Sequence, residues 1–272
     1  MNFQQKLDKA VEKNNSLLCV GLDPVLEKLP QHLQKLGSPF FAFNKAIIDA
    51  THDVVCCYKP NSAFYEALGE KGIGELKKTC DYIKSQYPEI PIILDFKRGD
   101  IGNTNKAYAQ FAFDYLDVDA VTVQPYLGKE GLSEFLNKKD KGIFILCKTS
   151  NPGSGEFQNL AFQGEHLYTI VSQHVAEEWN ENNNCFLVVG ATYPEELAEV
   201  RKIVGDMTLL VPGIGAQGGE VGPLMKAGLN AEKKGIIINS SREVLYAGDG
   251  EDFAQKARDK AHKLRDTINK YR

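Results

Sequence analysis

Between residues 93 and 104 the chain reads ILDFKRGDIGNT. The apolar Ile92-Ile93-Leu94 gives way to alternating charge at Asp95, Lys97, Arg98 and Asp100. Charges on the end of a strand buried on both faces are costly unless they are paired. Asp95 and Lys97 are two apart, so strand alternation turns both side chains the same way and sends Phe96 and Arg98 the other way. A lysine flanked by carboxylates stays protonated, because each neighbour favours its charged form. That suits a proton donor and disfavours the neutral amine that a Schiff-base lysine needs. Lys59, in the run VVCCYKPN, is expected at the matching height of the neighbouring strand, within reach of Asp95. A purely structural ion-pair network is the competing explanation.

Other strand-like runs end in polar residues as well. Asp23 closes LLCVGLD, Asn61 follows Lys59, and Lys148, Thr149 and Ser150 close GIFILCKTS. Any one of these is most simply the first residue of a loop, whereas their convergence at one mouth would make a site. Two late loops suit an anion. VPGIGAQGG, with Pro212 and Gln217, is rich in glycine, so its amides can crowd close to a ligand. NSSREV puts small hydroxyls and Arg242 at the start of a helix, where amides, dipole and guanidinium all favour phosphate.

The elements that must position these residues recur along the whole chain. Near-continuous apolar runs stand at 17–23, 54–61, 91–97, 120–125, 142–149, 185–191, 208–215 and 235–241. Such runs, rather than alternating ones, mark parallel strands covered on both faces. Helix-periodic segments separate them, such as FFAFNKAIIDATHD, NTNKAYAQFAFDYL and PEELAEVRKIV; Asn103 or Thr104 is the expected N-cap of the second. Eight β-then-α units without a linker or low-complexity stretch point to a single (β/α)₈ TIM barrel over residues 1–272, α/β in class. The alternative, an open doubly wound sheet, lacks its G-x-G-x-x-G turn after the first strand. Barrel active sites lie at the carboxyl ends of the strands, and phosphate often binds after strands 7 and 8.

Composition narrows the function. With 272 residues, 43% hydrophobic, the chain is long enough to bury a core without staples. A net charge of -4 gives no reason to expect a nucleic-acid or anionic-membrane partner. The six cysteines show no C-x-x-C, and the five histidines form no H-x-x-x-H pair, so a zinc site is not expected. The first fifteen residues read as an amphipathic helix rather than a signal peptide, and no apolar run approaches a membrane span. A cytoplasmic enzyme is the expectation.

The D-x-K-x-x-D of Asp95, Lys97 and Asp100, followed by IGNT, resembles the orotidine 5′-phosphate decarboxylase family. FFAFNKAIIDATHDVVCCYKPNSAFYEALG, KTSNPGS and LLVPGIGAQGG are similar to its longer-chain, mostly bacterial branch, from about residue 17 to 247. The D-x-K-x-x-D alone is shared with phosphosugar aldolases and decarboxylases on related barrels; the combination with the two loops is specific. The resemblance implies decarboxylation of orotidine 5′-phosphate to uridine 5′-phosphate, without metal or organic cofactor. It implies that Asp95, Lys97, Asp100 and Lys59 form the charge network around the scissile carboxylate, with Lys97 protonating C6. It implies a homodimer in which Asp100, Ile101 and Thr104 reach the partner's site. Asp23 and Lys59 would contact the ribose, Ser150 the pyrimidine, Pro212 the closing loop, and Gln217 and Arg242 the phosphate. Phe96, where smaller residues are usual, is expected to pack away from the mouth. The rival is a Mg²⁺-dependent phosphosugar aldolase or decarboxylase, such as hexulose-phosphate synthase, using the same carboxylates around the metal. A non-catalytic phosphate-binding barrel is a third reading, with little use for a lysine clamped between carboxylates.

Overall fold

The computed structural model describes residues 1–213 and 221–272. Eight strands form one parallel sheet: β1 (Leu18–Gly21), β2 (Cys57–Lys59), β3 (Ile93–Arg98), β4 (Ala120–Val123), β5 (Gly142–Lys148), β6 (Cys185–Val189), β7 (Leu209–Pro212) and β8 (Ile236–Ser240). The hydrogen-bonded order runs β2-β1-β8-β7-β6-β5-β4-β3. Bridges from Tyr58 to Ile92 and from Asn61 to Asp95 join β2 to β3 and close the barrel. Each strand falls on one of the eight apolar runs. The strands are buried along nearly their whole length because helices cover the outside and side chains fill the inside. A two-stranded hairpin, Ala161–Phe162 with Glu165–His166, stands outside the barrel in the segment after β5.

The helix Phe3–Asn14 lies under the strand starts. It begins with a capping box in which the Asn2 side chain accepts from Gln5 N–H and the Gln5 side chain accepts from Asn2 N–H. Phe3 meets the rings of Phe144 and Phe186 edge-on at 5.5 and 5.3 Å, and Lys6 holds Asp119, just before β4, at 2.9 Å. This closes the end of the barrel opposite the polar strand ends.

The helix after β3 departs from expectation at its start. Its N-cap is Ile101 rather than Asn103 or Thr104, and it runs over Gly102–Ala109 before widening to a π turn at Gln110–Tyr115. The turn is fixed from the side instead. Asn105, fully buried, accepts from Asp100 N–H at 3.0 Å and donates to Asp100 C=O at 2.6 Å. Among the described residues no helix is long and apolar enough to cross a membrane. All six cysteines are free and buried.

Candidate active site

β2 and β3 bring Lys59, Asp95 and Lys97 together at the carboxyl ends of the strands. Lys59 Nζ donates to Asp95 Oδ2 at 2.8 Å, and Lys97 Nζ donates to Asp95 Oδ1 at 2.6 Å. Burial alone would push the Asp95 carboxyl up, but Lys59 and then Lys97 reverse this and hold it far below the usual carboxylate range. Burial would likewise lower Lys59, yet Asp95 and then Asp23 raise it above the usual ammonium value. Both ions therefore stay charged at neutral pH. The two lysines differ in access: the Lys59 side chain is 4% exposed and the Lys97 side chain 44%, so Lys97 is the one that opens onto the mouth.

Plain alternation does not produce this pairing. From Leu94 to Arg98, β3 advances four residues while β4 advances two, from Val121 to Val123, so the strand bulges across the charged residues. Lys97 sits in that bulge with φ +44°, a left-handed conformation strained for a residue with a Cβ. Phe96 turns outward as expected and packs edge-on against Phe135 and Tyr108. Arg98 also points away from the mouth: it pairs with Glu66 at 2.6 Å and lies over the Phe96 and Tyr108 rings.

Two adjoining cavities meet at Lys59, Asp95 and Pro212. One, of about 430 Å³, runs from these residues past Asp23 to Ser241 and Arg242. The other, of about 380 Å³, runs past Lys97 and Thr122 to Ser150 and Asn151. Asp23 accepts from Asn61 N–H at 3.0 Å, and burial raises its carboxyl despite the opposing pull of Lys59. Glycines make the walls close. A Cβ at Gly21 would stand 1.8 Å from Ser241 Oγ and 3.0 Å from Asp23 Oδ2, and one at Gly190 would stand 2.8 Å from Ser150 Cβ. Arg242 is exposed at the rim. Gln217 lies outside the described residues.

Asp100, Ile101 and Thr104 are not brought into these cavities. Asp100 accepts from Ile101 N–H at 2.7 Å and, among the described residues, joins no ion pair, whereas Ile101 and Thr104 stand exposed on the outer surface. Within one chain the charge network is thus Lys59, Asp95 and Lys97.

Thr122, Asn239 and Tyr246 also shape the site, though little in the sequence marks them out. Thr122, buried on β4, donates to Asp95 Oδ1 at 2.9 Å and accepts from Lys97 N–H at 3.0 Å. Its one signal was a hydroxyl in the otherwise apolar AVTV. Asn239 lines the larger cavity beside Ser240, whose Oγ is buried with no hydrogen-bond partner among the described residues. Tyr246 O–H donates to Asp23 C=O at 3.2 Å and its oxygen accepts from Val25 N–H at 2.9 Å, fixing the loop that carries Asp23.

Residues 16–257 match the Orotidine 5'-phosphate decarboxylase / HUMPS family. The chain belongs to that family. It is 52% identical to the orotidine 5'-phosphate decarboxylase of Cellvibrio japonicus (strain Ueda107) over 271 residues, 99% of this chain and 98% of that one. Against the enzyme of the same name from Azoarcus sp. (strain BH72) it is 49% identical, with 100% of both chains covered. The structure of Leishmania donovani OMP decarboxylase superposes with a TM-score of 0.88 at 38% identity, covering 100% of this chain and 99% of that one. The resemblance seen in the D-x-K-x-x-D and its accompanying loops is therefore correct, and so is the reading of the chain as a carboxy-lyase. Full-length relatives at about half identity carry the decarboxylase name, and the phosphosugar aldolase alternative gains no support from them.

Proposed function

We propose that the chain converts orotidine 5′-phosphate to uridine 5′-phosphate and CO₂, with the pyrimidine in the cavity beside Lys97 and the ribose phosphate in the cavity that ends at Arg242. The observation that carries this is the placement of a half-exposed lysine on an ionised, buried aspartate where the two cavities join. Loss of CO₂ from C6 leaves a carbanion that no ring orbital delocalises well. The Lys97 ammonium supplies a fixed cation where that charge forms and then the proton that quenches it. By the family resemblance, Asp23 and Lys59 serve the ribose, Ser150 the pyrimidine, and Gln217 and Arg242 the phosphate, while Pro212 stands at the seam between the cavities.

Asp95 stands near the departing carboxylate. Two like charges about 4 Å apart at an effective dielectric near 20 repel by about 4 kcal/mol, roughly three decades of rate. Here even that is an upper figure, because two lysines already neutralise Asp95 and leave the triad net positive. Stabilisation of the carbanion by Lys97 in a site closed to water is the larger effect, driven by phosphate binding that favours closure. The same contacts argue against a Mg²⁺ enediolate mechanism: both Asp95 oxygens are taken by ammonium groups.

The active unit we propose is a cytoplasmic homodimer, in which Asp100, Ile101 and Thr104 complete the neighbouring subunit's site. The exposure of Ile101 and Thr104 in the single chain and the six free, buried thiols support this. The deciding experiment is an ultraviolet assay with orotidine 5′-phosphate, with and without chelator, on the native protein and Lys97→Ala. Turnover that survives chelator and vanishes in the variant is expected; turnover that requires added Mg²⁺, or persists near normal in Lys97→Ala, would overturn the proposal.

A further inference from the structure

We infer that Thr122 is a positioning residue for protonation, its single hydroxyl holding the bulged backbone of Lys97 in register with the Asp95 carboxylate. The inference rests on Lys97 as the proton donor. The bulge in β3 takes the Lys97 N–H out of the regular ladder with β4, and a half-buried N–H without a partner is costly. Thr122 Oγ1 accepts that N–H at 3.0 Å. The same oxygen donates its one proton to Asp95 Oδ1 at 2.9 Å, the carboxylate oxygen that also receives Lys97 Nζ at 2.6 Å.

The directions are forced by chemistry. An ionised carboxylate can only accept and a backbone N–H can only donate, so the hydroxyl must point its proton at Asp95 and its lone pair at Lys97. The result is a closed ring: Lys97 N–H to Thr122, Thr122 O–H to Asp95, and Asp95 to the Lys97 ammonium. Both ends of the lysine are tied to one carboxylate. Lys97 holds φ +44°, a conformation that persists only when its surroundings over-determine it. Thr122 itself is buried on a strand, and its branched Cβ restricts the rotamer that aims the hydroxyl. The ion pair from Lys59 approaches from the other oxygen, Oδ2, and so cannot replace the hydroxyl.

The test compares Thr122→Val, nearly the same shape without the hydroxyl, with Thr122→Ser, which keeps it. Two readouts are taken on the full-length protein: steady-state kinetics with orotidine 5′-phosphate, and hydrogen exchange of the Lys97 amide. Thr122→Val is expected to lower kcat by about 10- to 100-fold, the size of one lost buried hydrogen bond, and to leave KM within about threefold. It should speed exchange at the Lys97 amide by at least about tenfold. Thr122→Ser should recover most of both. If the valine variant does not fold, Thr122→Ala gives the same comparison. Native-like exchange at Lys97 without the hydroxyl, or a serine variant as impaired as the valine one, would overturn the inference. Exchange that responds as stated in a protein that does not turn over orotidine 5′-phosphate would leave the positioning standing and sink the functional reading instead.

Discussion

Lys59 Nζ donates to Asp95 Oδ2 across the seam where β2 and β3 meet through isolated bridges. The pair is buried, and removing one partner strands the other charge.

Asp95→Asn is therefore expected to cost about 3 kcal/mol or more in urea unfolding at pH 7, besides abolishing turnover. The pH dependence has a definite sign. Asp95 is depressed when folded, so its contribution is complete above the unfolded value near 3.9 and fades as pH falls below it. Lys59 is raised when folded, so its contribution is present at all pH values below about 10 and is lost only in strong base. The gap between native and Asp95→Asn midpoints should stay level from pH 5.5 to 8 and narrow below about pH 4. A gap that widens on acidification would contradict this account of the pair.

Lys148, at the end of β5, should control how the loop bearing Ser150 meets substrate. Its buried ammonium donates to Asn159 Oδ1 at 2.7 Å and Ser154 Oγ at 3.2 Å, with Glu196 at 3.6 Å. It thus ties the loop's far end back to its root. Lys148→Met keeps the bulk and loses about 1.5–3 kcal/mol of charge-assisted bonding, on the scale of a hydrogen bond to a charged group. We expect a rise in KM for orotidine 5′-phosphate of about tenfold or more. Unchanged KM in a folded variant would show that the loop is held by other means.

Asp100 lines neither of the two cavities of its own chain, so complementation separates a shared site from a private one. Lys97→Ala and Asp100→Ala are each expected to be inactive alone. Co-expressed and isolated as heterodimers, they should recover roughly a quarter to a half of native activity, since one of the two sites would hold both native residues. Inactive heterodimers of verified composition would rule out sharing.

Phe3 supplies stability without chemistry. It fills the closed end of the barrel between Phe144 and Phe186, and a Cβ at Gly142 would come within 2.6 Å of its ring. Phe3→Ala should lower stability by about 3–5 kcal/mol with kcat unchanged, because the cavity opens at the end of the barrel away from Lys97. Urea unfolding alongside the kinetic assay checks both halves.

The sequence by itself determined the architecture and the address of the site. Eight apolar runs of strand length, spaced by helical periodicity, admit little but a closed parallel barrel, because hydrophobic period is a local property that one chain displays in full. Lys59, Asp95 and Lys97 were legible because charges at a buried strand end demand partners, and residue types alone say which partners these are. Tertiary structure decided how they meet. The bulge that puts Lys97 at φ +44° arises from four residues of β3 lying against two of β4, a mismatch that exists only once the strands pair. Thr122 is one apolar-run residue among many until that pairing sets its hydroxyl between Lys97 and Asp95. The N-cap moved from Asn103 or Thr104 to Ile101 for a similar reason: the Asn105 side chain pins the turn to Asp100 and to Gly131 C=O, 26 positions away in the chain. Local sequence sets which groups need a partner; packing across distant segments chooses which one each receives.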